Sequence, residues 1–429
     1  MLEDIQRIHF IGAGGIGTSA AAKWCLAHGK TVSGSDLHAS PVSDALAQLG
    51  ATVHSGHAPA NVPDDVDLVV YSPAVPETNV ERIRATELGV TQWSYPEFLG
   101  ALSKEYSTIV VSGTNGKSTT TAMLGLILEA AGYDPTVIVG SLVPGFPMGN
   151  VRVGRGRFFV VEGCEYKAAM LQLNPEMIVL TNVEEDHLDY YRDIDHIRET
   201  FQTFADKLKG KGLAVWNKND PESNRIAFDR GVTFGMGVGA DYDGDSIELA
   251  LKVPGAFNKM NALAATAAAM ELGVPFETCQ RVLSQFGGIW RRFERIGTWK
   301  GAEVISDYGH HPTAIRGTIQ AAREMFPNRR VVLCFQPHQH SRTKELLDEF
   351  VEAMKTADAV VVPEIYAVAG RTEGDDVSSE DLVAKIPGAA YAKDLDGAES
   401  VLRDVVKEGD VLIVQGAGDV DDLARRLAA

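Results

Sequence analysis

Residues 110–120 read VVSGTNGKSTT, a short apolar run that gives way to glycines, a lysine and hydroxyl side chains. A strand ending in Gly113-Thr114-Asn115-Gly116-Lys117-Ser118, followed by Thr119 to Ala130 in helical composition, is the arrangement that cradles a nucleoside triphosphate. Backbone amides at the helix start point at the phosphates, Lys117 supplies a compact positive charge at the β- and γ-phosphates, and the Ser118 hydroxyl is offered to Mg²⁺. The generic G-x-x-x-x-G-K-[ST] pattern is broken at its first residue, where Val111 stands. Metal ligands for such a site come from neighbouring strand ends. The apolar run Phe158 to Val161 ends at Glu162, and Met177 to Thr181 runs into Asn182-Val183-Glu184-Glu185-Asp186-His187. Acids and imidazoles there lie on the edge where α/β sheets bind ligands, so Glu162 and His187 are candidate Mg²⁺ ligands. Glu165 and Asp186 read equally well as surface charges.

A second glycine cluster, Gly12-Ala13-Gly14-Gly15-Ile16-Gly17, follows the apolar run Ile8 to Ile11, and Asp36 closes the next strand. Taken alone this is a dinucleotide-binding fingerprint and suggests a nicotinamide-dependent dehydrogenase. The motif requires only a diphosphate near a helix N-terminus and an acid that accepts hydrogen bonds. A uridine diphosphate satisfies the same geometry, and a dehydrogenase would leave Lys117 and Ser118 without a task.

These loops need strands and helices to hold them. The first hundred residues alternate apolar runs with helical patterns, as in βαβ units on a parallel sheet. A new strand, Thr108 to Val111, opens a second α/β region, which runs through the Ala-rich helical stretch Asn261 to Leu272. From Ala302 a third begins, with near-continuous apolar runs at Val331 to Phe335, Ala359 to Pro363 and Val411 to Gly416 that suit strands buried on both faces. The reading is three α/β domains in series, 1–103, 104–296 and 297–429, in keeping with a length of 429 residues. Forty basic against 58 acidic residues give a net charge of −18, which disfavours nucleic acid and anionic membranes as partners. The four cysteines, Cys25, Cys164, Cys279 and Cys334, form no C-x-x-C pair, and the N-terminal residues lack the order of a signal peptide, so a reduced cytoplasm is expected.

In order along the chain, HFIGAGGIG with GSD (9–17, 34–36), SGTNGKSTTTAM (112–123), TNVEEDHLDYY (181–191), FNKMNALAA (257–265), WRRFE (290–294), SDYGHHPTAI (306–315), FQPHQHSRT (335–343) and VQGAGDV (414–420) resemble the Mur ligases over essentially the whole length. The resemblance implies a Rossmann-like UDP-binding domain, a central P-loop ATPase α/β domain and a C-terminal Rossmann-like α/β domain. It implies that ATP and Mg²⁺ are used to join L-alanine to UDP-N-acetylmuramic acid through an acyl phosphate, in peptidoglycan precursor synthesis. Gly12, Gly14, Gly15, Gly17, Ser35 and Asp36 would then hold UDP. Gly113 to Thr119, that is Gly113, Thr114, Asn115, Gly116, Lys117, Ser118 and Thr119, would hold ATP together with Asn258, Asn261, Arg292 and Asp307. Ser118, Glu162 and His187 would ligate magnesium. Tyr308, His310, His338 and Arg342 would meet the amino acid, with Lys117, His310, His338 and Arg342 as the catalytic set.

Three departures accompany the likeness. FQPHQ stands where FQPHR is usual, so Gln339 removes a cation near the incoming amino acid. Asn115 and Ser118 replace the residues of a GTHGKTT loop. GCEYKAAM replaces an ADES-type run, so Glu162 is the expected metal ligand and Glu165 the second choice. Gln202 stands where some relatives carbamylate a lysine, and no such modification is expected. A recycling ligase that adds a ready-made tripeptide to the same sugar acid is the nearest alternative, and a non-catalytic UDP-sugar sensor is a third class.

Overall fold

A computed structural model describes residues 2–208, 210, 212–366 and 377–429. The first sheet is built from β1 (Arg7–Ile11), β2 (Thr31–Asp36), β3 (Thr52–Ser55), β4 (Leu68–Tyr71) and β5 (Thr91–Ser94), all parallel, in the order β3-β2-β1-β4-β5. The chain leaves β1 to one side and returns to its other side at β4, so the strand order reverses beside β1, where such sheets bind ligands. The helix Ile16–Ala27 starts at the glycine cluster and is buried from Thr18 to Cys25, its alanines allowing close packing. Two further helices, Pro41–Gln48 and Tyr95–Leu102, begin with Ser40 and Ser94 in reciprocal caps that satisfy the first free amides.

The second sheet holds β6 (Ser107–Ser112), β7 (Thr136–Ile138), β8 (Val151–Arg152), β9 (Phe158–Gly163), β10 (Met177–Leu180), β11 (Leu213–Asn217), β12 (Gly231–Gly235) and β13 (Tyr242–Asp243). Its order is β13-β12-β11-β10-β6-β9-β7-β8, with only β7 and β8 antiparallel among the described pairs. Thr108 to Ser112 of β6 are buried throughout, which is why that segment reads as a continuous apolar run.

The third sheet holds β14 (Glu294–Trp299), β15 (Ala302–Asp307), β16 (Val331–Phe335), β17 (Ala359–Pro363), β18 (Ala390–Ala392) and β19 (Val411–Gln415), in the order β14-β15-β19-β16-β17-β18. Every residue of β16 and β19 is buried. The break expected between residues 296 and 297 falls inside β14, which pairs antiparallel with β15 and shifts register between Arg295 and Gly297. An irregular, half-exposed edge strand carries no clean alternation, so its start is not visible as a pattern.

The chain divides into two compact units. One comprises Met1–Val183, Arg198–Glu248 and Ala262–Val282, and so holds the first two sheets. The other comprises Glu184–Ile197, Leu249–Asn261 and Leu283–Ala429. Two segments expected in the central domain therefore pack with the third sheet. Arg342 binds Asp186, His311 lies 3.1 Å from the Glu185 carbonyl, and the Gly255 amide donates to Glu324 at 3.0 Å. No helix among the described residues is long and apolar enough to cross a membrane.

Candidate functional site

In the first unit, β6 delivers the chain to Gly113, whose φ of +130° belongs to glycine. A Cβ there would lie 2.2 Å from Thr181 Oγ1 and 2.7 Å from the Asn182 carbonyl. The loop is pinned to the end of β10: Thr114 N–H donates to the Asn182 carbonyl at 3.0 Å, Asn115 N–H to Asn182 Oδ1 at 2.9 Å, and Thr181 Oγ1 to the Asn115 carbonyl at 2.6 Å. The helix Lys117–Ala130 follows, and its first amides have no partner within the helix. Replacing Gly113 by Ala should cost about 3 kcal/mol through clash and backbone strain. It should also abolish nucleotide binding; calorimetry and a melting curve unchanged from wild type would contradict the loop geometry.

Lys117 Nζ donates to the carbonyls of Gly113 (2.6 Å) and Thr114 (3.0 Å) and pairs with Glu165 at 2.8 Å. Burial alone would lower its pKa, but Glu165, Cys164 and Glu162 outweigh this and raise it, so the ammonium stays charged. Ser118 Oγ donates to Glu162 Oε2 at 3.0 Å, and the Gly140 amide holds the other oxygen of that carboxylate. The structure thus brings Ser118 and Glu162 together and turns Glu165, 4% exposed, toward the lysine rather than the surface.

At the first glycine cluster, Gly12 (φ +81°) and Ala13 donate their amides to the Ser35 carbonyl, both at 2.9 Å, and Gly14 N–H donates to Asp36 Oδ2 at 2.7 Å. A Cβ on Gly17 would lie 2.8 Å from the Tyr95 ring, so this glycine is required by packing. The Ser35 side chain lies in the interior. Its hydroxyl is fully buried and donates to Glu81 Oε2 at 2.5 Å, and it lies 2.9 Å from His57 Nδ1. Glu81 is itself buried at 0% exposure, and no motif marks it. Burial pushes its carboxyl up, but hydrogen bonds from His9, Ser35, Asn61 and the Ala58 amide prevail and hold it at about 2, below its ordinary 4.5.

The native Glu81 therefore remains ionised where the unfolded chain takes up a proton. Its stabilisation is complete above pH 4.5 and is lost as pH falls toward 2. Urea unfolding between pH 6 and 3 should show about 2 kcal/mol of this loss disappearing in Glu81→Gln. An equal slope in both proteins would count against it.

In the second unit, Arg342 Nε and Nη2 both donate to Asp186 Oδ1, at 2.9 and 2.7 Å, and both residues are buried. Asp186 is thus no surface charge. Burial would raise its carboxyl, but Arg342, His187 and His310 hold it well below the usual carboxylate range. His310 Nε2 lies 3.9 Å from Asp186 Oδ2, its ring is 6.0 Å from that of His338, and His338 stacks on Tyr366 at 5.6 Å. Tyr308 packs edge-on against His310 at 5.5 Å, with Arg292 over its face at 4.8 Å. Tyr308, His310, His338 and Arg342 are therefore brought together, with Asp186 and Tyr366 as members that sequence reasoning missed. His187 (φ +56°) places Nε2 3.8 Å from Asp186 Oδ2.

Asp307 is buried, and its carboxylate accepts from the amides of Phe293 and Gly309, both at 2.8 Å, and from Gln415 at 3.1 Å. Asn258 donates its side-chain amide to the Pro254 carbonyl at 2.7 Å, and Asn261 is buried on the same helix, Ala256–Glu271. Arg291 is spent on the carbonyls of Gly416 and Gly418, at 2.6 and 2.9 Å. Gln339 is buried with φ +75° at the start of the helix His340–Glu345, beside a cavity of about 10 Å³ that Asp186, Arg342 and Glu345 also line.

Residues 7–107 match the Mur ligase family catalytic domain, 111–269 the Mur ligase middle domain, and 291–418 the Mur ligase glutamate ligase domain. The chain belongs to the Mur ligase family. Among relatives of this Mur ligase, the UDP-N-acetylmuramate–L-alanine ligase of Trichlorobacter lovleyi is 40% identical over 98% of this chain and 98% of its own. That of Caldanaerobacter subterraneus subsp. tengcongensis is 37% identical over 99% and 98%. The crystal structure of UDP-N-acetylmuramate-alanine ligase MurC from Thermotoga maritima is similar at a TM-score of 0.83, with 30% identity and 98% of each chain covered. A murein peptide ligase from Psychrobacter arcticus gives a TM-score of 0.77 at 24% identity over 98% of each chain, a likeness of fold. As a Mur ligase the protein is an enzyme, an ATP-dependent ligase with the three-domain fold of its family.

The residues of this Mur ligase that sequence reading passed over share a trait. Asp186 is one of three acids in a row and Glu81 one of many on helix surfaces, and only folding selects which is buried. The acid directly preceding His187 was the single available hint.

Proposed function

We propose that this Mur ligase joins L-alanine to UDP-N-acetylmuramic acid with hydrolysis of ATP, as a cytoplasmic step in peptidoglycan precursor synthesis. A carboxylate is a poor electrophile, and phosphorylation repairs that. The lactyl carboxylate attacks the γ-phosphate, the bond to the bridging oxygen breaks and ADP departs, leaving an acyl phosphate, while Lys117 and the amides of the Gly113–Thr119 loop spread the negative charge of the transferring group. Ser118 and Glu162, two hard oxygen donors 3.0 Å apart, fit a Mg²⁺ ion, which would supply further neutralisation of the phosphates. The neutral amine of the amino acid then attacks the acyl phosphate, forming the amide and releasing phosphate. Arg342 provides two donors for a carboxylate or phosphoryl oxygen, and His310 and His338 provide imidazoles to take or give the proton. Burial and the neighbouring Arg342 lower the His310 pKa well below its ordinary value, so it stands neutral, as a base must. The glycine cluster of the first sheet holds UDP.

The observation that carries this reading is Lys117, charged, half-buried and held at the mouth of a loop pinned by Asn182. It is supported by the names of relatives 36–40% identical over nearly the whole chain. Incubation with ATP, Mg²⁺ and UDP-N-acetylmuramic acid, offering L-alanine, glycine, L-serine or a muropeptide tripeptide in turn, should release phosphate fastest with L-alanine. Release with the tripeptide alone would replace this reading by the recycling ligase, which Gln339 leaves as the competitor.

A further inference from the structure

The buried carboxylate of Glu81 ties together four pieces of the first sheet's ligand edge. Its Oε1 accepts from Asn61 Nδ2 (2.7 Å) and the Ala58 amide (3.1 Å), both in the segment after β3. Its Oε2 accepts from Ser35 Oγ (2.5 Å) in β2 and from His9 Nε2 (3.2 Å) in β1, whose Nδ1 accepts from Ser33 Oγ at 2.8 Å. The helix Val80–Glu87 that carries it is N-capped by Asn79. Ser35 in turn receives the Gly12 and Ala13 amides on its carbonyl. One carboxylate therefore governs where the glycine loop and the post-β3 segment sit.

Counting protons carries this further. An ionised Glu81 has no hydrogen to give, so the single hydrogen of Ser35 Oγ is committed to it. The Ser35 oxygen can then only accept from His57 Nδ1, 2.9 Å away, which places that ring's proton on Nδ1. The His57 side chain is 13% exposed and stands two residues beyond the carboxyl end of β3, the edge where such a sheet meets its ligand. Its Nε2 is left as a bare acceptor.

We infer that Glu81 is a positioning residue for nucleobase selection: acting through Ser35, it sets His57 to offer an acceptor matched to the imide N–H of a pyrimidine-dione base, as in uridine diphosphate. This rests on the UDP-sugar reading of the first sheet. Cytosine, with a lone pair in place of that N–H, would face the Nε2 lone pair and be refused. In Glu81→Gln the side-chain amide faces Ser35 as a donor. Ser35 Oγ then turns its hydrogen to His57 Nδ1, and the outward Nε2 becomes a donor.

The test uses the full-length protein. Nitrogen NMR of labelled histidine without nucleotide should find His57 protonated on Nδ1 in wild type and on Nε2 in Glu81→Gln. Calorimetry with UDP and CDP should give wild type a preference for UDP of roughly tenfold or more, which both Glu81→Gln and Ser35→Ala lose while ATP affinity is unchanged. An unaltered tautomer with an unaltered UDP preference in Glu81→Gln would overturn the inference. So would a parallel loss of UDP and ATP affinity with a lowered melting temperature, the mark of a folding role alone. Wild-type protein that binds neither UDP nor CDP would sink the UDP-sugar reading instead, and the tautomer exchange would still decide the relay.

Discussion

Lys117→Ala is expected to lower kcat by roughly 10²–10³-fold or more, the cost of removing one preorganised charge from a transferring group. UDP affinity should stay near wild type, because Lys117 takes no part in the hydrogen bonds around Ser35 and Glu81. Stability should fall as well. Glu165 is 4% exposed, and taking the ammonium from beside it leaves that carboxylate buried without its cation, at about 3–5 kcal/mol. The double variant Lys117→Ala, Glu165→Gln should recover most of the melting temperature and none of the turnover. Phosphate release assays and thermal melts on the two proteins separate chemistry from folding. A single variant turning over within tenfold of wild type would remove Lys117 from the reaction.

The second large effect is expected at Arg342. Its two bonds to Asp186 Oδ1, at 2.9 and 2.7 Å, mark a guanidinium held in one orientation before any substrate arrives. Hydrogen bonds to charged groups contribute about 1.5–3 kcal/mol each, so Arg342→Ala should lower kcat/KM for the amino acid by roughly 10²-fold or more. The KM for ATP should change little. Arg342→Lys keeps the charge and loses the planar fork, and should recover less than a tenth of the activity. The variant also strands Asp186 in the interior, so a lowered melting temperature is expected, relieved by Asp186→Asn. Equal losses in kcat/KM for all three substrates would assign Arg342 to folding instead.

Both experiments show where local sequence reasoning succeeds and where it stops. The phosphate loop is legible because each part is a short-range requirement: an apolar run for a buried strand, glycines where φ turns positive, a lysine and a hydroxyl at a helix start. The glycine cluster after β1 and the runs of β16 and β19 are legible for the same reason. The start of β14 was hidden because an edge strand with a register shift has no alternation to read.

By itself the sequence determined the sheet-forming segments and the strand–glycine loop–helix arrangement around Lys117, since backbone preference and hydrophobic period act over a few residues. Only the tertiary structure decided which acids the polar side chains face. Lys117 took Glu165 and left Glu162 to Ser118, Arg342 met Asp186 across 156 residues of chain, and Glu81 gathered His9, Ser35 and Asn61. A buried charge is stable only when its partner is buried with it, and that pairing is a property of packing which no local pattern of residues encodes.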